Sequence, residues 1–450
     1  MNHLQIERAE KLDDMLRAFR LEPLDERELS RFYCDKTMAI RTSDQWNSPL
    51  DDLFDACTTP LVRNAHILLG HRGCGKSTEL HNLKKRFEGV GQLVQVVDIE
   101  TEGDIFQVNC WDIMLMITEG LCEIAKNSDL HIPDKTLKAV FDYLKKDVAQ
   151  IEESNGSKSI GVEVGAEART PSLLNVLKVF ASIKSEMKVS SSMRTIITET
   201  MERRASEWIG YIMEISGWII DGMSGKQPVL IFENIDKIQP PEKAFDIFCY
   251  SVLAQMPFPV IYTFPISLYY DPRFSSIKDI FKPHILPMIK VSNIDRSENI
   301  DGINIIRDII ELRADINLFD DNALIMLIKQ TGGVLRDLFI CITSAARRAS
   351  RRGANKIEEE DAKRVLTELK SELTRQITRS DYPMLANIYN NQKYKEQIED
   401  VQFLLKKMQA LVVLEYNGDR WHELHPLIAQ FLIDHGEIKI EQGVNDDSVG

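Results

Sequence analysis

Long hydrophobic runs are missing from this 450-residue chain. No apolar stretch approaches the roughly 20 residues that a helix needs to span a bilayer, which excludes a helical membrane anchor. Residues Met1–Arg20 carry charge throughout, in an amphipathic helical pattern, so a secretory leader is not expected. Cysteine is sparse, with seven residues, an odd number, and no paired spacing. That excludes a disulfide framework or a zinc site and points to reduced thiols in the cytoplasm. Positive charge is in deficit, with 55 Lys and Arg against 69 Asp and Glu and a net charge of −14. The balance opposes bulk attraction to DNA or to anionic membranes, leaving room only for a local basic patch. No 20–50-residue period repeats, so a solenoid is excluded. What remains, 44% hydrophobic and 28% charged, is the composition of a soluble globular protein with two or three domains.

The most informative residues are Gly70-His71-Arg72-Gly73-Cys74-Gly75-Lys76-Ser77, followed by Thr78, which fit G-x-x-x-x-G-K-[ST] at every fixed position. Glycines at these places let the backbone turn tightly enough for successive N–H groups to face a nucleotide's phosphates. Lys76 would reach the β- and γ-phosphates, and the Ser77 hydroxyl would ligate Mg²⁺. The flanks agree. Ala65–Leu69 reads as a buried strand and Ser77–Phe87 as an amphipathic helix, which sets the phosphates at the positive end of a helix dipole. The pattern predicts a site for a nucleoside triphosphate, with Gly70, Arg72, Gly73, Cys74, Gly75, Lys76, Ser77 and Thr78 around it.

Strands are expected at Gln92–Asp98, Pro228–Phe232, Pro259–Phe264 and Ile285–Val291. Helices are expected at Trp111–Ala125, Asp134–Glu152, Leu173–Lys188 and, as one packed element, Met193–Asp221. Residues 1–60 read as helical with a break at Thr42–Pro49. The stretch 153–172 changes character, with turn chemistry at Ser154–Ser157 and then alternation, so it is expected to be an inserted hairpin or a loop. Strands alternating with helices argue for a parallel α/β sheet. Helices follow over 299–378, and Tyr382–Ile433 reads as two helices, two short strands around Asn417-Gly418-Asp419, and a last helix.

A phosphate loop needs an acidic site to hold Mg²⁺ and orient the attacking water. Glu233 and Asp236, after the apolar run Val229–Phe232, are the candidates, against the alternative of a solvated turn. Asn234 stands where a catalytic acid would follow, and an amide is no general base, so slow turnover is expected. Thr263 and Ser267 are candidate sensors of the γ-phosphate or ordinary strand-end hydroxyls. Arg273, in the loop Asp271–Phe274, is a candidate arginine finger or a surface arginine. Thr331-Gly332-Gly333 ends one helix, and Arg336 lies in the first turn of the next. A cation there wants an anionic partner, either a phosphate or a structural acid.

Together these residues resemble the AAA+/STAND class of P-loop ATPases, particularly the branch similar to replication-origin initiators. By resemblance, GHRGCGKST is the Walker A loop, VLIFENIDKI the acidic strand, TGGVLRDL the sensor-2 segment of a helical lid, and Leu404–Pro426 a winged helix. The resemblance implies an N-terminal helical segment over 1–49, a P-loop α/β core over 50–295, a helical lid over 296–378 and a winged-helix-like domain over 379–450. It implies ATP and Mg²⁺ as ligands, with Lys76, Glu233, Asp236 and Arg273 catalytic and Ser77 and Glu233 on the metal. The expected role is a cytoplasmic nucleotide-dependent switch that forms a homo-oligomer or engages an effector protein in bacterial defence or signalling. A DNA-binding initiator or loader is the alternative. For it stands the run Arg347-Arg348-Ala349-Ser350-Arg351-Arg352. Against it stand the five Lys/Arg and seven Asp/Glu of residues 391–436, because a DNA reader should cluster positive charge.

Overall fold

A computed structural model of the chain describes residues 7–41, 48–59, 64–155, 171–189, 191–249, 251–391, 400–416 and 421–439. The chain divides into two compact units. One holds 50–69 and 83–285. The other gathers 1–49, 70–82 and 286–450.

The first of these is built on a five-stranded parallel sheet of β1 (Ala65–Gly70), β2 (Val94–Asp98), β3 (Val229–Glu233), β4 (Val260–Pro265) and β5 (Lys282–Ile285) in the order β2-β3-β4-β1-β5. β1, β3 and β4 are buried at every position, as their near-continuous apolar sequences require in a sheet covered on both faces. The edge strands are more polar, and Pro283, which cannot donate to a ladder, sits in edge strand β5. Between β2 and β3 the chain runs through helices including Cys110–Asn127, Asp134–Asn155, Leu173–Val189, Ser191–Arg203 and Ala205–Gly222. Trp208 anchors them. It is fully buried, its indole N–H donates to the Met114 carbonyl at 3.4 Å, and its ring lies 4.7 Å from that of Tyr143. The expected parallel α/β core is therefore present, with a phosphate loop after its first strand.

The other unit is helical, with Ile300–Arg313, Asp321–Gln330, Leu335–Arg351 and Glu359–Thr374 followed by Tyr382–Asn390, Val401–Gln409, the hairpin β6 (Val413–Tyr416) and β7 (Trp421–Leu424), and Pro426–Asp434. This element order is the one expected for 299–433. The turn at Asn417–Asp419 and most of the 153–172 insertion, residues 156–170, lie outside the described residues. No helix among the described residues is long and apolar enough to cross a membrane.

Three expectations are corrected. The strand placed at Ile285–Val291 lies earlier, at Lys282–Ile285, where it pairs with β1. Pro287 removes a donor, and the carbonyls of Ile289 and Lys290 face Gly333 and Gly302 instead of a strand. The single helix at Met193–Asp221 is two, broken at Arg204 (φ −116°, ψ 22°), whose guanidinium stacks 3.7 Å from the Tyr143 ring and pairs with Glu207. The described part of Met1–Arg20 is no continuous helix. Ala9 pairs with Ala314 in a parallel bridge, and only Met15–Ala18 is α-helical. Backbone groups spent on that bridge are lost to a helix.

Two glycines separate strain from crowding. Gly333 sits at φ +82°, and a Cβ there would lie 2.0 Å from the Ile289 carbonyl oxygen, whereas Gly353 at φ +75° faces open space. Gly333→Ala should cost at least about 2 kcal/mol, and Gly353→Ala about 1 kcal/mol, in unfolding free energy. Denaturant unfolding of both variants checks this. Equal losses would show that the Ile289 approach contributes nothing.

Candidate functional site

The phosphate loop leaves β1 and closes into the helix Lys76–Gly89. Gly73 and Gly75 lie at φ +82° and +98°, a region that L side chains rarely adopt, and this reversal is what turns consecutive N–H groups toward one point. Space is tight as well as strained. A Cβ on Gly73 would come within 2.7 Å of the Arg336 Cβ, and one on Gly70 within 2.9 Å of the Leu286 carbonyl oxygen.

When amide N–H groups face inward, the carbonyls of the same loop point out and need donors. Some are met within the motif and some by distant parts of the chain. The Lys76 ammonium, buried, donates to the Gly70 and His71 carbonyls at 2.8 and 3.0 Å. The Arg336 backbone N–H donates to the Gly73 carbonyl at 3.3 Å, and Arg41 Nη2 donates to the Cys74 carbonyl at 2.7 Å. Ser77 and Thr78 are half-buried in the first helical turn, and Arg72 is exposed. Arg41, 1% exposed, escaped the sequence reading, since no motif marks an arginine 33 residues upstream of its partner. It also lies 3.7 Å from Glu79, whose carboxylate accepts from the Tyr33 hydroxyl at 2.7 Å and the Thr37 hydroxyl at 3.3 Å. Burial, reinforced by Glu79, raises the Tyr33 phenol far above its ordinary range.

The loop is also held from the C-terminal elements. His71 is buried, and its Nε2 accepts the Glu415 backbone N–H at 2.8 Å, so the neutral ring carries its proton on Nδ1. Burial first, then the Lys76 and His422 charges, lowers the His71 imidazole to about 3. Next to it the Tyr416 hydroxyl donates to the Gly332 carbonyl at 2.7 Å, and a Cβ on Gly332 would meet Pro426 at 2.8 Å. The Thr331–Gly333 turn thus needs glycine for close approach as well as for helix capping.

The acid-bearing edge belongs to the sheet. Glu233 ends β3, 4% exposed, in register with Asp98 at the end of β2. Asn234 adopts the left-handed conformation (φ 65°) that asparagine tolerates, and its Nδ2 donates to Asp98 Oδ1 at 2.6 Å. Asp236 is half-buried in the short turn Ile235–Lys237. The Thr263 hydroxyl accepts the Ile235 N–H at 3.0 Å and so holds this turn, and Ser267 is buried in the turn after β4. Asp98 went unnoticed in sequence because its partner lies 136 residues away. Arg273 is half-exposed and grips Asp271 through Nε (2.9 Å) and Nη2 (2.8 Å), with its guanidinium 4.2 Å from the Phe245 ring. A role on a neighbouring subunit would first require that fork to open.

The donors suit the ligands implied by the motif. A cradle of inward N–H groups with a buried ammonium matches phosphate oxygens, and the Ser77 hydroxyl is an oxygen donor of the kind Mg²⁺ takes. Among the described residues no cluster of three or more His, Cys, Asp or Glu could hold a metal by itself.

No protein-family model and no characterised protein matches the sequence. Solved structures similar in fold include the Aeropyrum pernix ORC2 protein in its ADPNP–ADP complexes (12% identity over 93% of this chain and 98% of that one, TM-score 0.38). The Aeropyrum pernix ORC1 protein in complex with DNA is also similar (11%, 90% and 96%, TM-score 0.37), as is the Thermotoga maritima RuvB Holliday junction branch migration motor (10%, 89% and 99%, TM-score 0.35). Likenesses this distant add no argument to the loop and the strand order described above.

His71 gives a signed prediction. Its imidazole titrates at 6.5 when unfolded and at about 3 in the fold. Below pH 6.5 the unfolded chain therefore takes up a proton that the folded chain does not, and stability falls as pH drops through that window. His71→Gln, which keeps an acceptor but does not titrate, should flatten the dependence by about 1.4 kcal/mol per pH unit. Denaturant unfolding of both proteins between pH 4 and 7 measures it. Parallel curves would refute the buried neutral ring.

Proposed function

We propose that this chain is an ATP-binding switch of the P-loop class that hydrolyses ATP slowly, with Mg²⁺, and that it assembles with copies of itself or engages a partner protein in bacterial defence or signalling. The observation that carries the reading is the phosphate loop with left-handed Gly73 and Gly75 and a buried Lys76 laid over its carbonyls. Lys76 would neutralise the β- and γ-phosphates, Ser77 and Glu233 would hold the metal, and Asp236 would add a carboxylate nearby. Arg336 would read the bound phosphate, and Arg273 would serve a neighbouring subunit. Mg²⁺ held there would supply charge neutralisation to the phosphates.

A switch needs elements whose equilibrium the ligand biases. Support for that lies in how the loop is bonded. The Arg336 N–H and the Glu415 N–H, one on a lid helix and one on hairpin β6–β7, both bond to residues of the loop that phosphates would occupy. The DNA-binding alternative is weaker. Of the arginine run, Arg348 pairs with Glu368, and Arg352 with Glu358 and Asp361, leaving Arg347 and Arg351 exposed and without an ion-pair partner among the described residues. A winged helix that faces protein fits the acidic C-terminal segment better.

Titration with Mg-ATP and with ADP tests the reading. Tight binding of both is expected, falling by at least about 100-fold in Lys76→Ala, the scale of a lost charge-assisted phosphate contact. Undiminished binding by that variant would contradict the assignment of the loop.

A further inference from the structure

We infer that Arg41 is a positioning residue for the nucleotide, aiming the Gly75 N–H at phosphate through the Cys74–Gly75 peptide. Glu79 sets how much of the Arg41 charge that phosphate feels. The inference rests on the ATP-binding reading above and adds to it a residue outside the motif. A peptide bond is planar and trans, so the carbonyl and the N–H of one unit point in opposite directions, and holding one aims the other. The Cys74 carbonyl accepts from Arg41 Nη2 at 2.7 Å. The N–H of that unit belongs to Gly75, the last glycine of the motif, and it meets no acceptor among the described residues.

Arg41 ends the helix Thr37–Arg41 and is 1% exposed. Its place beside the loop is marked twice more. A Cβ on Gly75 would lie 3.7 Å from Nη2, and Nη1 lies 3.7 Å from Glu79 Oε1. Glu79 is held in turn, since Oε2 accepts from the Tyr33 hydroxyl at 2.7 Å and Oε1 from the Thr37 hydroxyl at 3.3 Å. The guanidinium therefore stands behind the loop, with the peptide unit between it and the side that faces phosphate.

Two effects follow. The hydrogen bond restrains a rotation of the peptide unit that glycine, here at φ +98°, would otherwise permit. A cation on the carbonyl also polarises the unit and makes its N–H a stronger donor to an anion. Arg41 differs in this from Lys76. The Lys76 ammonium would have to leave the Gly70 and His71 carbonyls to reach phosphate, whereas Arg41 acts from behind without moving.

Glu79 limits the effect. It is 3% exposed and lies in the first turn of the helix Lys76–Gly89, so its charge opposes an anion on the loop while it neutralises Arg41. What it contributes is stability, because an uncompensated buried guanidinium is costly. At this pair, charge that stabilises the fold is set against charge that favours phosphate. That opposition separates a positioning role from a structural one.

Calorimetric titration of the full chain with Mg-ATP, and denaturant unfolding without nucleotide, test this in two variants. Glu79→Gln keeps an acceptor for the hydroxyls and removes the charge. Its stability should fall while its Mg-ATP affinity rises at least about threefold, because buried charges are weakly screened. The double variant Arg41→Met with Glu79→Gln leaves neither charge. It should unfold close to wild type yet bind Mg-ATP about 10-fold more weakly, the scale of one charge-assisted hydrogen bond. An affinity that stays level or falls with stability in Glu79→Gln would overturn the inference. So would wild-type affinity in the double variant, since the pair would then serve the fold alone. Lys76→Ala separates the two claims, as binding lost in that variant keeps the loop as the nucleotide site whatever the pair does. If the wild-type chain binds no nucleotide, the ATP-binding reading and this inference fall together.

Discussion

The phosphate loop imposes the constraint on which its surroundings depend. A backbone turned so that its N–H groups converge must send its carbonyls outward, and buried carbonyls demand donors. Here Lys76, Arg41 and the Arg336 N–H meet that demand, so satisfying one loop recruits an N-terminal helix (Thr37–Arg41) and the helix Leu335–Arg351. The second layer is equally determined. Arg41 comes with Glu79, and Glu79 brings Tyr33 and Thr37. An isolated buried arginine would be costly, and a shared carboxylate with two hydroxyl donors offsets that cost.

The same economy makes the loop a sensitive place. His71, inside the nucleotide motif, spends its side chain on the hairpin β6–β7 instead of on a ligand. Any rearrangement of the loop backbone on binding phosphate must be accommodated by the Glu415 and Arg336 amides together. Close contacts at Gly332 and Gly333 leave little room for gradual adjustment. Packed elements of this kind shift between discrete arrangements and do not deform continuously.

How legible was this in the sequence? The loop and its glycines were, because the spacing G-x-x-x-x-G-K-[ST] encodes local backbone geometry that no distant residue has to supply. The strands β1, β3 and β4 were too, as continuous apolar runs are what a doubly covered parallel sheet demands. Misreadings arose where two structures compete for one pattern. Leu286–Val291 is apolar enough for a strand, yet Pro287 and the glycine contacts divert it, and the polar Lys282-Pro283-His284 forms the edge strand instead. The break at Arg204 leaves no sign in the helical periodicity, and the ring that its guanidinium stacks on there belongs to Tyr143, 61 residues earlier. Asp98, Arg41 and the His71–Glu415 bond share that origin. Each is a pairing across tens to hundreds of residues between types that are common everywhere.

The central claim is that nucleotide on the loop is felt by the elements bonded to it. Amide hydrogen exchange of the whole chain, with and without Mg²⁺ and a non-hydrolysable ATP analogue, tests it most directly. Slower exchange at 71–77 together with altered exchange at Arg336 and at Val413–Tyr416, all absent in Lys76→Ala, is the expected result. Protection confined to 71–77, with the helix Leu335–Arg351 and the hairpin unchanged, would contradict a switch and leave a protein that merely holds its nucleotide.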